Sequence, residues 1–182
     1  MGELRTPPLA TPIVAMLSGD TELFERARGP LEALLGPVGQ ESELYPFEKT
    51  AYYNESMGLG LKRKFFAFRP LADSADLPAW KHGTNAVEKQ IKNALPEAGR
   101  YDRPINLDVG YMTGAKLVLA STKDFAHRIY LYDCIFAEIT LGFRGDSWVS
   151  HYFTFPDYKS GLYDTYLKKV RLWHLKKIKN EL

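Results

Sequence analysis

Apolar and polar positions follow a strand pattern in four segments of the first two thirds of the chain. These segments are 13–17, 38–47, 61–69 and 105–109. The first is a short, purely apolar run, which is typical of a strand buried on both faces. The third and fourth alternate, so that Phe65 and Ala67 fall opposite Phe66 and Phe68. We expect strands at all four, with 38–47 the weakest pattern.

Helical spacing separates these strands. A helix is expected after the turn and cap residues 18–20, with Leu23, Ala27 and Leu31 on one face, and another over about 76–95. Pro30 should kink or break the first helix, because proline cannot donate to the carbonyl of Arg26. The resulting order, βαββαβ, predicts an α+β protein with a ferredoxin-like core, an antiparallel sheet that carries two helices on one face.

The second half of the chain should extend this core. A short helix is expected over 113–121 with Thr113 as its N-cap, then a β-hairpin, a strand over 147–155 and a terminal helix from about 160 to 179. We therefore expect a flexible leader at 1–11 and a single α+β domain at 12–182, with an added helix, a β-hairpin and a C-terminal helix around the ferredoxin-like βαββαβ core.

The register of the predicted hairpin follows from its faces. A three-residue loop, 132–134, pairs Leu131 with Ile135 and keeps the apolar residues 129, 131, 135, 137, 139 and 141 on one face. The same register places Arg128 opposite Glu138 and Tyr130 opposite Phe136. An acidic and a basic side chain are thereby expected to meet across the hairpin.

Composition narrows the class of protein. The chain has 182 residues, a formal net charge of +2 and a single cysteine. No apolar run approaches the roughly 20 residues that span a bilayer, and the first residues lack the apolar core of a secretory signal. One cysteine permits neither an intrachain disulfide nor a cysteine-based zinc site. We therefore expect a cytoplasmic protein without a membrane partner, and the small net charge gives no reason to expect nucleic-acid binding.

The densest polar stretch, 106–128, is the candidate functional site, and Glu138 joins it through the hairpin. Asp108 ends a predicted strand before a predicted helix start, where backbone N–H groups favour an anion. The proposed proton-handling residues are Asp108 and His127. The proposed ligand-binding residues are Tyr111, Thr113, Lys116, Lys123, Asp124, Arg128, Tyr130 and Glu138. Lysine and arginine in such a set suit phosphate or carboxylate.

A second interpretation of the same residues is an ion-pair network without a ligand, joining Asp108 to Lys116, Asp124 to His127 or Arg128, and Arg128 to Glu138. The histidines show no metal-ligand spacing, and no phosphate-binding loop or nucleophile elbow occurs. We therefore expect no metal and no cofactor.

Aromatic residues support two further hypotheses. Phe66 and Phe68 lie on the third strand of the βαββαβ order, where RNA-recognition domains carry stacking aromatics, so RNA binding requires them to be exposed. The aromatic segments 148–158 and 45–57 favour instead a non-catalytic module that binds a protein partner or forms a homodimer.

Several motifs together carry a family resemblance. They are Asn106-Leu107-Asp108-x-Gly110-Tyr111-x-Thr113, Lys116 to Asp124, His127 to Leu131, Pro46-Phe47, Tyr52-Tyr53, Met57-Gly58 and Pro156-Asp157-Tyr158. This combination resembles the bacterial domain-of-unknown-function family catalogued as 4416, over about residues 10 to 178. The resemblance implies a bacterial or archaeal soluble protein and implies no particular chemistry. From the residues themselves, we expect binding of a small anionic metabolite.

Overall fold

The computed structural model of the chain describes residues 2–47, 54–97 and 101–181. They form one nine-stranded antiparallel sheet with helices on both faces. In chain order the elements are β1 (Thr11–Ser18), α1 (Glu22–Leu35), β2 (Val38–Glu41), β3 (Tyr45–Pro46), α2 (Asn54–Met57), β4 (Lys62–Phe68), α3 (Leu77–Asn93), β5 (Asn106–Met112), β6 (Lys116–Ser121), β7 (Ile129–Tyr130), β8 (Phe136–Arg144), β9 (Ser147–Ser150), α4 (Pro156–Lys159) and α5 (Asp164–Glu181). The expectation of an α+β protein is confirmed.

The strands lie in the order β2–β4–β1–β5–β6–β8–β7, with β3 on β4 and β9 on β8. Every neighbouring pair is antiparallel. Strand β1 is buried along its whole length, as its uninterrupted apolar run predicts. It lies between β4 and β5, and it pairs with Asp108 of β5 through Ala15. The centre of the sheet is therefore apolar on both faces.

One face of the sheet is covered by α1 and α3. The core on this face includes Val14, Phe66, Phe68 and Leu107 from the strands, packed with residues such as Leu31 from the helices. Phe66 and Phe68 are fully buried. The argument for RNA binding is therefore wrong, because stacking on a base needs an exposed aromatic face.

The other face is covered by α4 and α5. Phe65 meets Tyr158, Tyr163 and Tyr166 there, with Phe65 and Tyr163 ring centroids 4.9 Å apart in an edge arrangement. Such edge contacts are the favoured geometry for aromatic rings. The C-terminal aromatic residues thus anchor α4 and α5 on the sheet, and much of the aromatic character of the chain is explained by this packing.

One helix prediction is wrong, and one alternative of another does not occur. Helix α1 runs through Pro30, so the predicted break is not found. The expected helix over 113–121 is wrong, because these residues form a turn and strand β6. The run Leu117 to Ala120 is buried on both faces, and periodicity does not distinguish a buried strand from a buried helix. The Thr113 hydroxyl accepts from the N–H of Ala115 at 3.2 Å, so it stabilises a turn and caps no helix.

The hairpin register is confirmed at Tyr130, which pairs with Phe136. Two loop residues, Asp133 and Cys134, have φ of 53° and 60°, the left-handed conformation that short hairpin loops need. The single apolar face is wrong, however. A bulge in β8 lets Val118 pair with Ile139 and Leu117 with Leu141. Because of the extra residue, Ile139 and Leu141 point to opposite faces.

Other strands are shorter than the patterns predict. Segment 38–47 contains two short strands, β2 and β3, and segment 147–155 forms only β9. Of the aromatic segment 45–57, residues 48–53 lie outside the described part of the chain.

Strands β5 and β6 separate in the middle of the sheet. Their pairing extends from Met112 and Leu117 to Gly110 and Leu119 and goes no further, although both strands continue. Gly110 stands at the point of separation. A Cβ atom there would lie 2.0 Å from the backbone oxygen of Val118. The close approach of the two backbones therefore requires glycine at this position.

We expect Gly110→Ala to lower the free energy of unfolding by at least about 2 kcal/mol, because backbone atoms must move to admit the methyl group. Urea unfolding measures the change. Gly142→Ala is the matched control, since Gly142 also lies in a strand and its Cβ would meet atoms no nearer than 3.7 Å. The control should unfold like the wild type or slightly later. Equal destabilisation by both substitutions would contradict the close approach.

Candidate functional site

The separation of β5 from β6 opens a cleft in the sheet. Each of the two strands also pairs with a neighbour on its other side, and these pairings continue along the cleft. Asn106 of β5 pairs with Leu17 of β1, and Ser121 of β6 pairs with Phe136 of β8. The cleft therefore interrupts one ladder only, and its two walls remain parts of ordered strands.

Helix α3 supplies the hydrogen bonds that the missing ladder would have made. The Glu88 carboxylate accepts from the N–H of Leu107 at 2.6 Å, and Lys81 Nζ donates to the carbonyl oxygen of Leu107 at 3.0 Å. Arg103 in turn donates to both carboxylate oxygens of Glu88, at 3.0–3.1 Å. The backbone of Leu107 is thus satisfied without β6, which lowers the cost of opening the sheet at this residue.

The cleft encloses a cavity of about 400 Å³. Its walls contain four cationic and two acidic side chains, with hydroxyl, amide and apolar groups between them. The lining residues of the cleft are Lys81, Arg103, Asn106, Asp108, Leu119, Ala120, Ser121, Thr122, Lys123, Phe125, Arg128, Glu138, Phe155 and Pro156.

Asp108 projects from β5 into this cleft. Its Oδ2 accepts from Asn106 Nδ2 at 2.7 Å and from Arg63 Nη1 at 3.3 Å. Burial acts to raise the pKa of Asp108, but the charges of Lys81, Arg63 and Arg103 and the Asn106 hydrogen bond outweigh it, so the pKa lies below its ordinary value. The carboxylate is therefore ionised at neutral pH and can only accept hydrogen bonds.

Arg63 lies behind Asp108 and is almost completely buried. Its Nη2 donates to Asp157 Oδ2 at 3.1 Å, and Asp157 also accepts from the hydroxyl of Tyr163 at 3.1 Å. Burial acts to lower the pKa of Arg63, but the surrounding tyrosine and aspartate groups raise it above its ordinary value. The guanidinium therefore joins α4 to β5 as a permanently charged link.

Asn106 has a fixed orientation beside Asp108. The Asp108 carboxylate accepts only, so the side of the Asn106 amide that faces it must be the NH₂ group. The opposite atom, Oδ1, is buried and has no hydrogen-bond partner among the residues the structure describes. An unsatisfied buried acceptor costs about 1–3 kcal/mol, so this arrangement is not the most stable one for the fold alone.

The other wall of the cleft holds a second buried ion pair. Glu138 Oε2 lies 2.8 Å from Arg128 Nε and 3.0 Å from His127 Nε2. Arg128 also donates to the backbone oxygen of Lys123 at 3.0 Å and lies under the ring of Phe125. The pairing of Arg128 with Glu138 is the one that the hairpin register predicts. Together with these contacts it holds the loop between β6 and β7 that carries Lys123 and Phe125.

The candidate residues from the sequence divide into two groups. Four of them line the cleft, Asp108, Lys123, Arg128 and Glu138, and His127 contacts Glu138 from behind. The other five, Tyr111, Thr113, Lys116, Asp124 and Tyr130, are not part of its lining. The expected anion site at a helix start after Asp108 is wrong, because β6 follows and not a helix.

The positions of these five residues explain why they lie outside, and Asp124 is exposed in the loop after β6. Tyr111 packs into the core beneath α1 and α3, and Tyr130 is exposed on the hairpin. Thr113 and Lys116 flank the β5–β6 turn, at the opposite end of these strands from the cleft. The expected pair of Asp108 with Lys116 therefore does not form, and Arg63 takes that place.

Sequence reasoning missed three cationic residues of the site, Arg63, Lys81 and Arg103. Arg63 shares a strand face with Phe65 and Ala67, and a buried arginine on an apolar face requires a carboxylate nearby. Lys81 follows Leu77 by one helical turn and precedes Thr84 by almost one, so it lies on the core-facing side of α3. Both signals were available in the periodicity. Arg103 lies in a loop without a pattern of its own.

Two other kinds of site have no candidate among the residues that the structure describes. Within residues 2–47, 54–97 and 101–181, no three His, Cys, Asp or Glu side chains lie close enough together to hold a metal ion. Nor does any helix in these ranges combine the length and apolar character that crossing a membrane requires.

Fold and cleft define an α+β protein whose central antiparallel sheet is split to form a polar, ligand-sized cavity. The family model for Domain of unknown function (DUF4416) matches residues 8–174, and the chain belongs to that family. The family resemblance of the sequence motifs is thereby confirmed. No curated protein and no solved structure matches the chain.

We expect Arg63→Met to lower the free energy of unfolding by about 3–5 kcal/mol, because it leaves the buried carboxylate of Asp157 without its charged partner. Chemical denaturation measures this change. Arg26→Met is the control, since Arg26 is half exposed and its nearest contact with Glu22 is 3.9 Å. It should change stability by less than about 0.5 kcal/mol. A small effect at Arg63 would show that the buried ion pairs do not stabilise this fold.

Proposed function

We propose that the cleft between β5 and β6 binds a small anionic metabolite that carries a phosphate or carboxylate group. The observation that supports this most directly is the convergence of four cationic side chains on one cavity: Lys81, Arg103, Lys123 and Arg128. Cations are rarely gathered around an internal cavity unless an anion compensates their charge.

The acidic residues cancel only part of this charge, since four cationic side chains stand against Asp108 and Glu138 in the lining. Glu138 is committed to Arg128, and Asp108 has Arg63 behind it at 3.3 Å. Glu88 is committed to Arg103. The net balance of the lining residues stays positive, and Lys123 lies at the exposed side of the cavity, where an anion from solvent would meet it first.

The size and lining of the cleft suit a metabolite. A cavity of about 400 Å³ falls at the small end of the range for ligand sites. Phe125 and Phe155 are partly exposed apolar residues of its wall, and Leu119 lies deeper. Ser121 and Thr122 add hydroxyl groups to the lining. The combination of a few polar groups with apolar walls is the general pattern of small-molecule sites.

Binding is proposed here without a reaction. The sequence suggested proton transfer by Asp108 and His127, but the lowered pKa of Asp108 makes it a weak base at neutral pH. His127 contacts Glu138 at 3.0 Å and stacks on Phe153, with ring centroids 4.5 Å apart. We assign Asp108 to ligand binding and His127 to the support of Glu138.

We expect Lys123→Ala to weaken the binding of the anion at least tenfold, because it removes a charge from the exposed side of the cavity. The measurement is thermal unfolding against glucose 6-phosphate, AMP, inorganic phosphate and citrate. A ligand at 100 times its Kd stabilises by about 2.7 kcal/mol, which raises the melting temperature by roughly 5–11 °C in a chain of this size.

Lys116→Ala is the matched control, since Lys116 begins the strand that ends near Lys123 and lies away from the cleft. It should keep the wild-type response. A panel without any response in the wild type would contradict the proposal, and so would an equal loss in both variants. Arg128→Ala is a poor probe, because it leaves the buried Glu138 carboxylate without its arginine.

We also propose that residues 11–112 form a ferredoxin-like unit. The order β2–β4–β1–β5 supports it, because in a βαββαβ unit of this kind the first strand lies between the last two. The packing of α1 and α3 together on one face of these strands agrees with it. The remaining strands extend the sheet beyond β5, and the cleft lies at the junction.

One separate observation, an exposed apolar part of the sheet, supports a second function, homodimerisation. Ile129, Ile139 and Val149 lie on the face of the sheet that α1 and α3 cover elsewhere, as their partners Ala137, Val118 and Gly142 indicate. They are 69%, 48% and 43% exposed. Neighbouring exposed apolar residues on an uncovered sheet face are typical of an interface.

We expect sedimentation equilibrium to detect a dimer that Ile139→Lys disrupts, because a lysine in the apolar strip would lose its hydration on association. Leu172→Lys is the control, since Leu172 is equally exposed but lies on α5. It should leave the dimer intact. A wild-type chain that remains monomeric at high micromolar concentration would exclude this second function.

A further inference from the structure

We propose that the ligand of the cleft carries a hydroxyl group close to its anionic group, and that Asp108 recognises this hydroxyl. The inference rests on the proposed function and names the class of ligand more closely, as a hydroxylated phosphate or carboxylate. Asp108 is then a specificity-determining residue, with Asn106 and Arg63 as positioning residues.

One oxygen of Asp108 is occupied and the other is not. Oδ2 accepts from both Asn106 Nδ2 and Arg63 Nη1. Oδ1 accepts no hydrogen bond from the residues that the structure describes, and the side chain keeps 29% of its exposure on the lining of the cavity. The carboxylate therefore presents an acceptor to whatever occupies the cleft.

The ionisation of Asp108 decides what kind of group this acceptor can meet. Lys81, Arg63 and Arg103 stabilise its charged form, and a carboxylate without its proton cannot donate. A ligand oxygen without a hydrogen would be repelled. The atom of the ligand next to Asp108 must therefore carry a hydrogen, as a hydroxyl or an ammonium group does.

The charges around Asp108 favour the hydroxyl. Arg63 contacts the carboxylate directly, and Lys81 and Arg103 line the same cavity. These cations already compensate the negative charge, so an added ammonium group would be desolvated among like charges. A neutral hydroxyl donates one hydrogen bond and adds no charge. The anionic part of the same ligand is then left for the cationic side chains, with Lys123 and Arg128 on the opposite wall.

The support behind Asp108 fixes its direction. Asn106 is 1% exposed and donates to Oδ2, while Arg63 is held in place by Asp157 as well. With Oδ2 bound to two donors, the carboxylate is oriented and Oδ1 keeps its place on the cavity. The unpartnered Oδ1 of Asn106 is retained in this arrangement at a cost in stability. A buried donor set of this kind is typical of groups that must be oriented for a ligand.

Paired probes that differ only in the hydroxyl groups test this inference. Isothermal titration calorimetry compares glycerol 3-phosphate with n-propyl phosphate, and glycerate with propionate. The members of each pair share the same anionic group and the same number of carbons. We expect the hydroxylated member to bind at least tenfold more tightly. When a ligand without hydroxyl groups binds, the Asp108 carboxylate loses its hydration and receives no hydrogen bond from the ligand in return.

The outcomes separate the two proposals. If no phosphate or carboxylate binds, the proposed function fails and this inference fails with it. If both members of each pair bind equally, the anion site stands and the inference is overturned. Phosphoethanolamine tests the choice of donor, and tighter binding of this amine than of glycerol 3-phosphate would overturn the assignment of a hydroxyl.

Asp108→Asn sharpens the test. Asn106 and Arg63 both donate toward the position of Oδ2, so the oxygen of the new amide must take that position and its NH₂ must face the cavity. The preference for glycerol 3-phosphate over n-propyl phosphate should fall at least fivefold, while n-propyl phosphate itself should bind more tightly because a negative charge is gone. A merely structural role would weaken both probes equally.

The control for this variant is Asp124→Asn, since Asp124 is exposed and is not part of the cleft lining. It should keep the wild-type preference. If Asp108→Asn does not fold, the ratio measured on the wild type still decides the inference. An unchanged preference in a folded Asp108→Asn protein overturns it.

Discussion

The backbone of Leu107 is the point on which the cleft depends. A strand inside a sheet normally satisfies its polar groups on both sides, and a gap in the ladder would leave them unpaired. Here α3 provides a carboxylate for the N–H of Leu107 and an ammonium group for its carbonyl. Because the two side chains replace the neighbouring strand, the sheet can separate without losing these hydrogen bonds, and β6 is free to turn toward β8.

The choice of charged side chains for this task shapes the chemistry of the cleft. Glu88 and Lys81 carry opposite charges, and Glu88 also forms an ion pair with Arg103. Lys81 and Arg103 in turn lower the pKa of Asp108 against the effect of burial. Lys81, which helps to hold the sheet open, therefore also helps to keep Asp108 ionised. A cleft held open by neutral amides would offer a ligand a different electrostatic environment.

The sequence predicts local elements of this fold better than it predicts the site. The strand and helix pattern locates β1, α1, β4, α3 and β5, because each has a clear period and turn residues at its ends. The hairpin register near the loop also follows from the faces of residues 129 to 137, but not beyond the bulge in β8. Strand β6 was predicted as a helix, since a run buried on both faces has no distinguishing period. The cleft could not be predicted, because it arises where two strands separate, and the loss of pairing leaves no mark in hydrophobic periodicity.

For the same reason, proximity in sequence was a poor guide to the site. Residues 106–128 are rich in polar groups, yet Thr113 and Lys116 lie at the turn between β5 and β6, at the opposite end of these strands from the cleft. Arg63 and Lys81 come from elements with apolar patterns and reach the cleft through the fold. A charged residue at a core-facing position carries more information about the site than a charged residue in a polar segment, since only the former must find a partner.

The distribution of unsatisfied polar atoms agrees with the binding role proposed for this region. Within the described part of the chain, four buried side-chain atoms lack a hydrogen-bond partner, and three of them are Arg63 Nε, Asn106 Oδ1 and the hydroxyl oxygen of Tyr158. Tyr158 packs its ring against Arg63, so these three atoms belong to one cluster behind Asp108. Folded proteins leave few such groups, and each lowers stability. Their concentration beside the cleft is difficult to explain by packing alone, and it is expected where side chains are held in place to orient a group for a ligand.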